Sequence, residues 1–123
     1  MTPELAKKLD RIEAACHKVL ELDQKASRGY VHRSNDEPCT IYVGSDLHGQ
    51  TISLNTNRPS CDGQFIAYSR SITPEMAKAV LHQIQWLEDD LKGCAEEGEQ
   101  DWIIAINERI QIIADSFQET SLP

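Results

Sequence analysis

Asp62-Gly63-Gln64-Phe65-Ile66-Ala67-Tyr68-Ser69-Arg70-Ser71-Ile72-Thr73-Pro74-Glu75-Met76-Ala77-Lys78-Ala79-Val80-Leu81 is the stretch on which the reading of this chain turns. Its second half carries a helix-start signal. Threonine can cap a helix, proline suits the first helical position, and glutamate suits the positive end of the helix dipole. After Thr73-Pro74-Glu75 come Met76, Val80, Ile84, Leu87 and Leu91, at helical spacings of 4, 4, 3 and 4. Ala77, Leu81 and Trp86 widen that stripe, and Gly93 and Gly98 are expected to break it. The first half is ambiguous, because a short apolar run such as Gln64–Tyr68 suits strand and helix equally. It reads as a short helical turn, then a capped break, then the long helix.

The same start signal opens the chain as Thr2-Pro3-Glu4. Leu5, Leu9, Ile12, Cys16, Val19 and Leu20 follow at spacings of 3 and 4 or adjacent, with Leu22 just beyond, so an amphipathic helix is expected to about Lys25. Between the two helices the period changes. Tyr30-Val31-His32 suits a short strand, and Asn35-Asp36-Glu37-Pro38 is a turn cluster. Cys39–Val43 and Thr51–Leu54 alternate in the strand manner around a loop at Ser45–Gly49. Asn55–Ser60 reads as a loop. A third helix is expected from about Gln100 to Gln118, with Trp102, Ile106, Ile110, Ile113 and Phe117 as its stripe and Ile103, Ile104 and Ile112 on its flanks.

These elements predict one α+β domain over residues 1–123: an N-terminal helix, a small antiparallel hairpin or meander, and two long C-terminal helices packed on it. The expected core is Leu5, Leu9, Ile12, Val19, Ile41, Val43, Phe65, Ile66, Val80, Ile84, Leu87, Ile106, Ile110 and Ile113. A chain of this length buries roughly two thirds of its unfolded surface, enough for a core without staples. The Ile-rich third helix is either buried between other elements or the face of a homodimer.

Charge is unevenly spread within the net −8. Residues 63–123 hold 11 acidic and 4 basic side chains, against 9 and 8 in residues 1–62. The acidity is densest in Glu88, Asp89, Asp90, Glu96, Glu97, Glu99 and Asp101, opposed within that stretch by Lys92 alone. Such a surface repels nucleic acid and anionic membrane and attracts basic protein surfaces. No apolar run approaches the ~20 residues that span a bilayer. Met1-Thr2-Pro3-Glu4 lacks the basic start and apolar stretch of a signal peptide, so a cytoplasmic location is expected. Cys16, Cys39, Cys61 and Cys94 are then expected as reduced thiols.

The order helix, hairpin, Asp-x-x-Phe-Ile-Ala-x-x-Arg and Pro-started helix rests here on Asp62, Phe65, Ile66, Ala67 and Arg70, followed by Pro74, Leu81 and Leu87. Over roughly residues 30–91 it resembles the Ead-like early proteins of lambdoid phages and prophages. The resemblance implies a phage accessory protein in a host cytoplasm, with Gln64–Arg70 helical and Phe65 and Ile66 as core anchors.

Catalytic and metal chemistry find little support. A structural zinc site draws on two closely spaced ligand pairs. Cys16 and His17 are adjacent on a helix and point in different directions. Cys39 and His48 stand across the expected hairpin. Cys61, with His48 or His32 nearby, is a conceivable nucleophile, but the adjacent Asp62 opposes a thiolate and serves more simply as an N-cap. Ser45-Asp46-Leu47-His48 holds the letters of a triad, yet a triad is a spatial arrangement, and turn chemistry explains these residues. Gly44 and Gly49 are isolated and make no phosphate loop. Lys7, Lys8, Arg11, Lys18, Lys25, Arg28 and Arg33 are interleaved with acids, the pattern of a solvated mixed-charge face.

The sequence therefore predicts a non-enzymatic protein, without cofactor or metal. It would bind a host complex with a basic, nucleic-acid-handling surface, such as a CRISPR effector, through the seven carboxylates from Glu88 to Asp101. It would bind neither nucleic acid nor membrane directly. The alternative is an oligomeric small-ligand binder, with Arg28, Tyr30, His48, Asn57 and Arg58 lining its pocket.

Overall fold

A computed structural model describes residues 1–26, 31–33, 40–43 and 50–122. Helix α1 runs Pro3–Lys25, strands β1, β2 and β3 run Val31–Arg33, Thr40–Val43 and Gln50–Ser53, helix α2 runs Pro59–Glu97, and helix α3 runs Gln100–Asp115. A single 3-10 turn, Glu119–Ser121, follows. Tyr30, Cys39 and the turns expected at 35–38 and 45–49 fall outside the described residues.

The α+β expectation is overturned: the chain is essentially all-α. Helices of 23, 39 and 16 residues carry it. The strands are only 3, 4 and 4 residues long, with β2 antiparallel to both β1 and β3 and Ile41 opposite Ile52. The three helices hold 78 residues against 11 in the strands, so helix packing sets the fold class. On β3, Ile52 is exposed; the expected burial of Ile41 and Val43 falls outside the described residues.

By contacts the chain divides into two compact units: Met1–Leu20 with Ala77–Pro123, and Glu21–Met76. The first holds the core. Leu5, Leu9, Ile12 and Cys16 of α1 meet Ala77, Ile84 and Leu87 of α2 and Ile106, Ile110 and Ala114 of α3. Fully burying side chains such as Leu9, Ile12, Ile84, Leu87 and Ile110 contributes about 1.5–3 kcal/mol each. Val19, Val80 and Ile113, expected inside, are partly buried against this cluster. The start of α1 is capped as its sequence predicts: the Leu5 amide donates to Thr2 Oγ1 at 3.2 Å. At the other end, the chain after α3 is fastened to α1. Arg11 pairs with the Glu119 carboxylate and donates to the Leu122 carbonyl at 3.2 Å, and Leu122 is buried.

In the second unit two expectations fail together. Thr73-Pro74-Glu75 does not start a helix; α2 begins at Pro59 and passes through Pro74. Pro59 supplies the first-position proline, and the Asp62 amide donates to the Arg58 carbonyl at 3.0 Å. Residues 59 and 60 are thus helix and not loop, and Asp62 sits in the first turn, not at the cap. Phe65 and Ile66, expected as core anchors, are exposed. The inward row of this part of α2 contains Gly63 and Pro74, both buried, with Ala67 and Arg70 half-buried between them. Arg70 donates to Asp23 of α1 within the same unit. Gly93 also fails as a break, being interior to α2, and α3 ends at Asp115 and not Gln118.

Candidate protein-binding surface: the acidic helix junction

Alpha-helices α2 and α3 are joined by two residues, Gly98 and Glu99. Gly98 has φ +73°, the left-handed conformation that costs a side-chain-bearing residue most and glycine least. The Glu99 amide then donates back to the Cys94 carbonyl at 3.1 Å, closing the end of α2. Glu99 has already left helical geometry at φ −82°, ψ +82°, and its carbonyl accepts the first bond of α3 from Ile103 at 3.1 Å. Backbone hydrogen bonds on both sides thus fix the connection.

The seven expected site residues fall into three groups around this junction. Glu96 and Glu97 are exposed in the last turn of α2, which has no basic residue. The negative end of the helix dipole lies there, so these carboxylates oppose it. Glu99 and Asp101 are exposed at the start of α3, where the dipole favours them. Asp90 is exposed one turn before Cys94, while Asp89 accepts a hydrogen bond from Gln85 at 3.0 Å. Among the described residues, none of Asp90, Glu96, Glu97, Glu99 and Asp101 has a cationic partner.

Glu88 stands apart from the other six. It is half-buried, and its carboxyl is pushed above the usual glutamate range. Burial is the first cause; next come the charge of Glu13 on α1 and a side-chain hydrogen bond with it, then Asp10 and Asp89. Sequence reasoning missed this pairing. The signal was present: Glu13 follows Ile12 and Glu88 follows Leu87, so each flanks a core position on its own helix.

The same negative field acts on sulfur. Partial burial, then Glu99, Asp90 and Glu97, push the Cys94 thiol up. Burial, then Glu13, does the same to Cys16. Both shifts oppose thiolate chemistry. Cys61 is exposed in the first turn of α2 beside Asp62. Cys16 is buried and His17 exposed, so they face apart as adjacent helical residues must. Among the described residues, no three His, Cys, Asp or Glu side chains converge on a metal position, and no helix is long and apolar enough to cross a membrane. His48, Cys39, Arg28, Tyr30 and Ser45 lie outside the described residues.

For the small-ligand alternative, Asn57 and Arg58 are exposed just before α2. An open groove of about 550 Å³ lies elsewhere, bordered by Met1, Leu5, Ile104 and Asn107. Asn107 Oδ1 is covered and has no hydrogen-bond partner, while its Nδ2 donates to the Ile103 carbonyl at 2.9 Å.

No family model matches the chain, no curated protein matches it in sequence, and no solved structure matches it.

Proposed function

We propose that this chain acts by binding another protein through the carboxylates of the α2–α3 junction. The observation that carries this reading is the set Asp90, Glu96, Glu97, Glu99 and Asp101: exposed, without cationic partners among the described residues, and held on two helix ends joined by a hydrogen-bonded connection. Glu96 and Glu97 lower helix stability where they stand, since they crowd the negative dipole end. A basic partner would relieve that repulsion and gain charge-assisted hydrogen bonds. The fitting partner is a lysine- and arginine-rich surface of the kind that grips nucleic acid, and a host defence complex such as a CRISPR effector is one such target. The carboxylates would compete there with phosphates.

Replacing Glu96, Glu97 and Glu99 by glutamine and Asp101 by asparagine tests this. In affinity capture from bacterial lysate, the native chain is expected to retain a basic nucleic-acid-binding complex at low salt and release it at high salt. The neutralised variant should lose that capture, and added nucleic acid should compete with it. Equal capture by the native and neutralised chains would overturn the electrostatic reading. A small molecule released on denaturation, with no protein captured, would put the ligand-binding alternative in its place.

A further inference from the structure

The second unit carries a surface that the acidic junction does not explain. Phe65, Tyr68, Ile72 and Met76 lie on α2 at spacings of 3, 4 and 4, which places them on one face. They remain 74%, 69%, 48% and 60% exposed. The face opposite is the inward row of Gly63, Ala67, Arg70 and Pro74. The largest apolar side chains of this stretch thus point away from the chain's own contacts. Scattered exposed apolar residues are ordinary, but four in register on one helix are not.

We infer that this stripe pairs two copies of the chain, α2 against α2, antiparallel. Three observations choose a second copy. The stripe holds no charged side chain, so two chains of net −8 can meet there without opposing charges in the contact. Its chemistry is directional: aromatic Phe65 and Tyr68 in the first half, flexible aliphatic Ile72 and Met76 in the second. An antiparallel two-fold axis between Arg70 and Ser71 sets Phe65 against Met76 and Tyr68 against Ile72 of the other copy, joining aromatic rings to a thioether and a branched chain at every position. Finally, the area suffices. At roughly 100–150 Å² of remaining exposure per side chain, the stripe offers on the order of 500 Å² per copy. Covering it on both copies removes on the order of 1,000 Å², the lower bound for a specific protein contact.

Sedimentation velocity of the full chain across a concentration series tests the pairing. The native chain is expected to move from monomer to dimer as concentration rises. The dimer fraction should increase with salt, because salt screens the repulsion of the remaining acidic surface. Phe65→Ser with Met76→Ser should stay monomeric over the same range, with unchanged helical circular dichroism because both residues are exposed. Trp102→Ser, an exposed change on α3, should dimerise as the native chain does. Oxidation of a variant with Phe65→Cys and Met76→Cys should link position 65 of one copy to position 76 of the other, the two being too far apart on one helix to join within a chain. A native chain that is monomeric throughout, or a Phe65→Ser/Met76→Ser variant that still dimerises, would overturn the inference; so would linkage of position 65 to position 65, or of Cys61 to Cys61, the mark of parallel pairing.

Discussion

Thr-Pro-Glu occurs twice, at residues 2–4 and 73–75, and the two copies have different fates. The first opens α1, with its threonine capping the Leu5 amide. The second lies inside α2, with 15 residues of the helix, counted from Pro59, ahead of Pro74. What differs is the preceding chain. Met1 and Thr2 are outside helix. Before Thr73 an earlier proline has already started a helix, Arg70 is tied to Asp23, and Pro74 is itself buried. A local start signal is permissive. Contacts one turn upstream decide whether it acts as a start.

The largest expected contrast sets a residue downstream of Pro74 against one upstream. Ile84 is 2% exposed in the helical core. Ile84→Ala should cost about 2–5 kcal/mol, read by denaturant unfolding. Ile72→Ala, on the exposed stripe of the same helix, should change monomer stability by less than about 0.5 kcal/mol, when measured at concentrations too low for self-association. Equal losses would mean that Ile72 is buried in the folded monomer.

Next in size are the prolines. An interior proline lacks the amide that would bond to the carbonyl four residues earlier, here that of Arg70, and its ring crowds that turn, at about 3 kcal/mol. Pro74→Ala should therefore stabilise the chain, by about 1–3 kcal/mol after the loss of proline contacts. Pro3→Ala should be close to neutral, because the first helical position has no amide partner to lose. A destabilised Pro74→Ala variant would restore the sequence reading of a start at that point. Smaller again, Thr2→Ala should cost about 1 kcal/mol as its cap is lost, and Thr73→Ala should cost less.

These contrasts show where the sequence was readable. The bounds of α1 and the stripe of α3 were legible, because capping and 3–4 spacing are local and the resulting faces found partners within the chain. Ile106 and Ile110 of the α3 stripe go to the core, while Trp102, Ile104 and Ile112 on the same helix are exposed. Phe65 and Ile66 were placed inside on the resemblance, since the short apolar run around them has no decisive period, and apolar character alone does not say whether a side chain finds a partner. Strand-like alternation over Cys39–Val43 and Thr51–Leu54 was visible, and strands run Thr40–Val43 and Gln50–Ser53, but alternation does not report that three long helices set the fold class. At the acidic junction, composition located the carboxylates and Gly98 located the turn. The meeting of Glu88 with Glu13 was hidden, because it depends on which helices pack together.

That meeting point carries the smallest expected effect. The two helices bearing the Thr-Pro-Glu copies touch there through like charges. Glu88 faces Glu13 and Asp10 from α1 and has Asp89 beside it on α2. Its carboxyl holds its proton more tightly in the folded chain than in the unfolded one. The folded state thus binds the extra proton, and its stabilisation is complete below the ordinary glutamate range. It is lost as pH rises through the elevated folded value, so stability should fall from mildly acidic towards neutral pH. Glu88→Gln keeps a donor for Glu13 and removes the charge. Its melting temperature should exceed that of the native chain at neutral pH, and the gap should close as pH falls into the ordinary glutamate range. Thermal melts across that interval read the difference directly. Parallel profiles for the two chains would show that Glu88 and Glu13 do not share a proton, and the α1–α2 contact would then owe its stability to Leu9, Ile12, Ile84 and Leu87 alone.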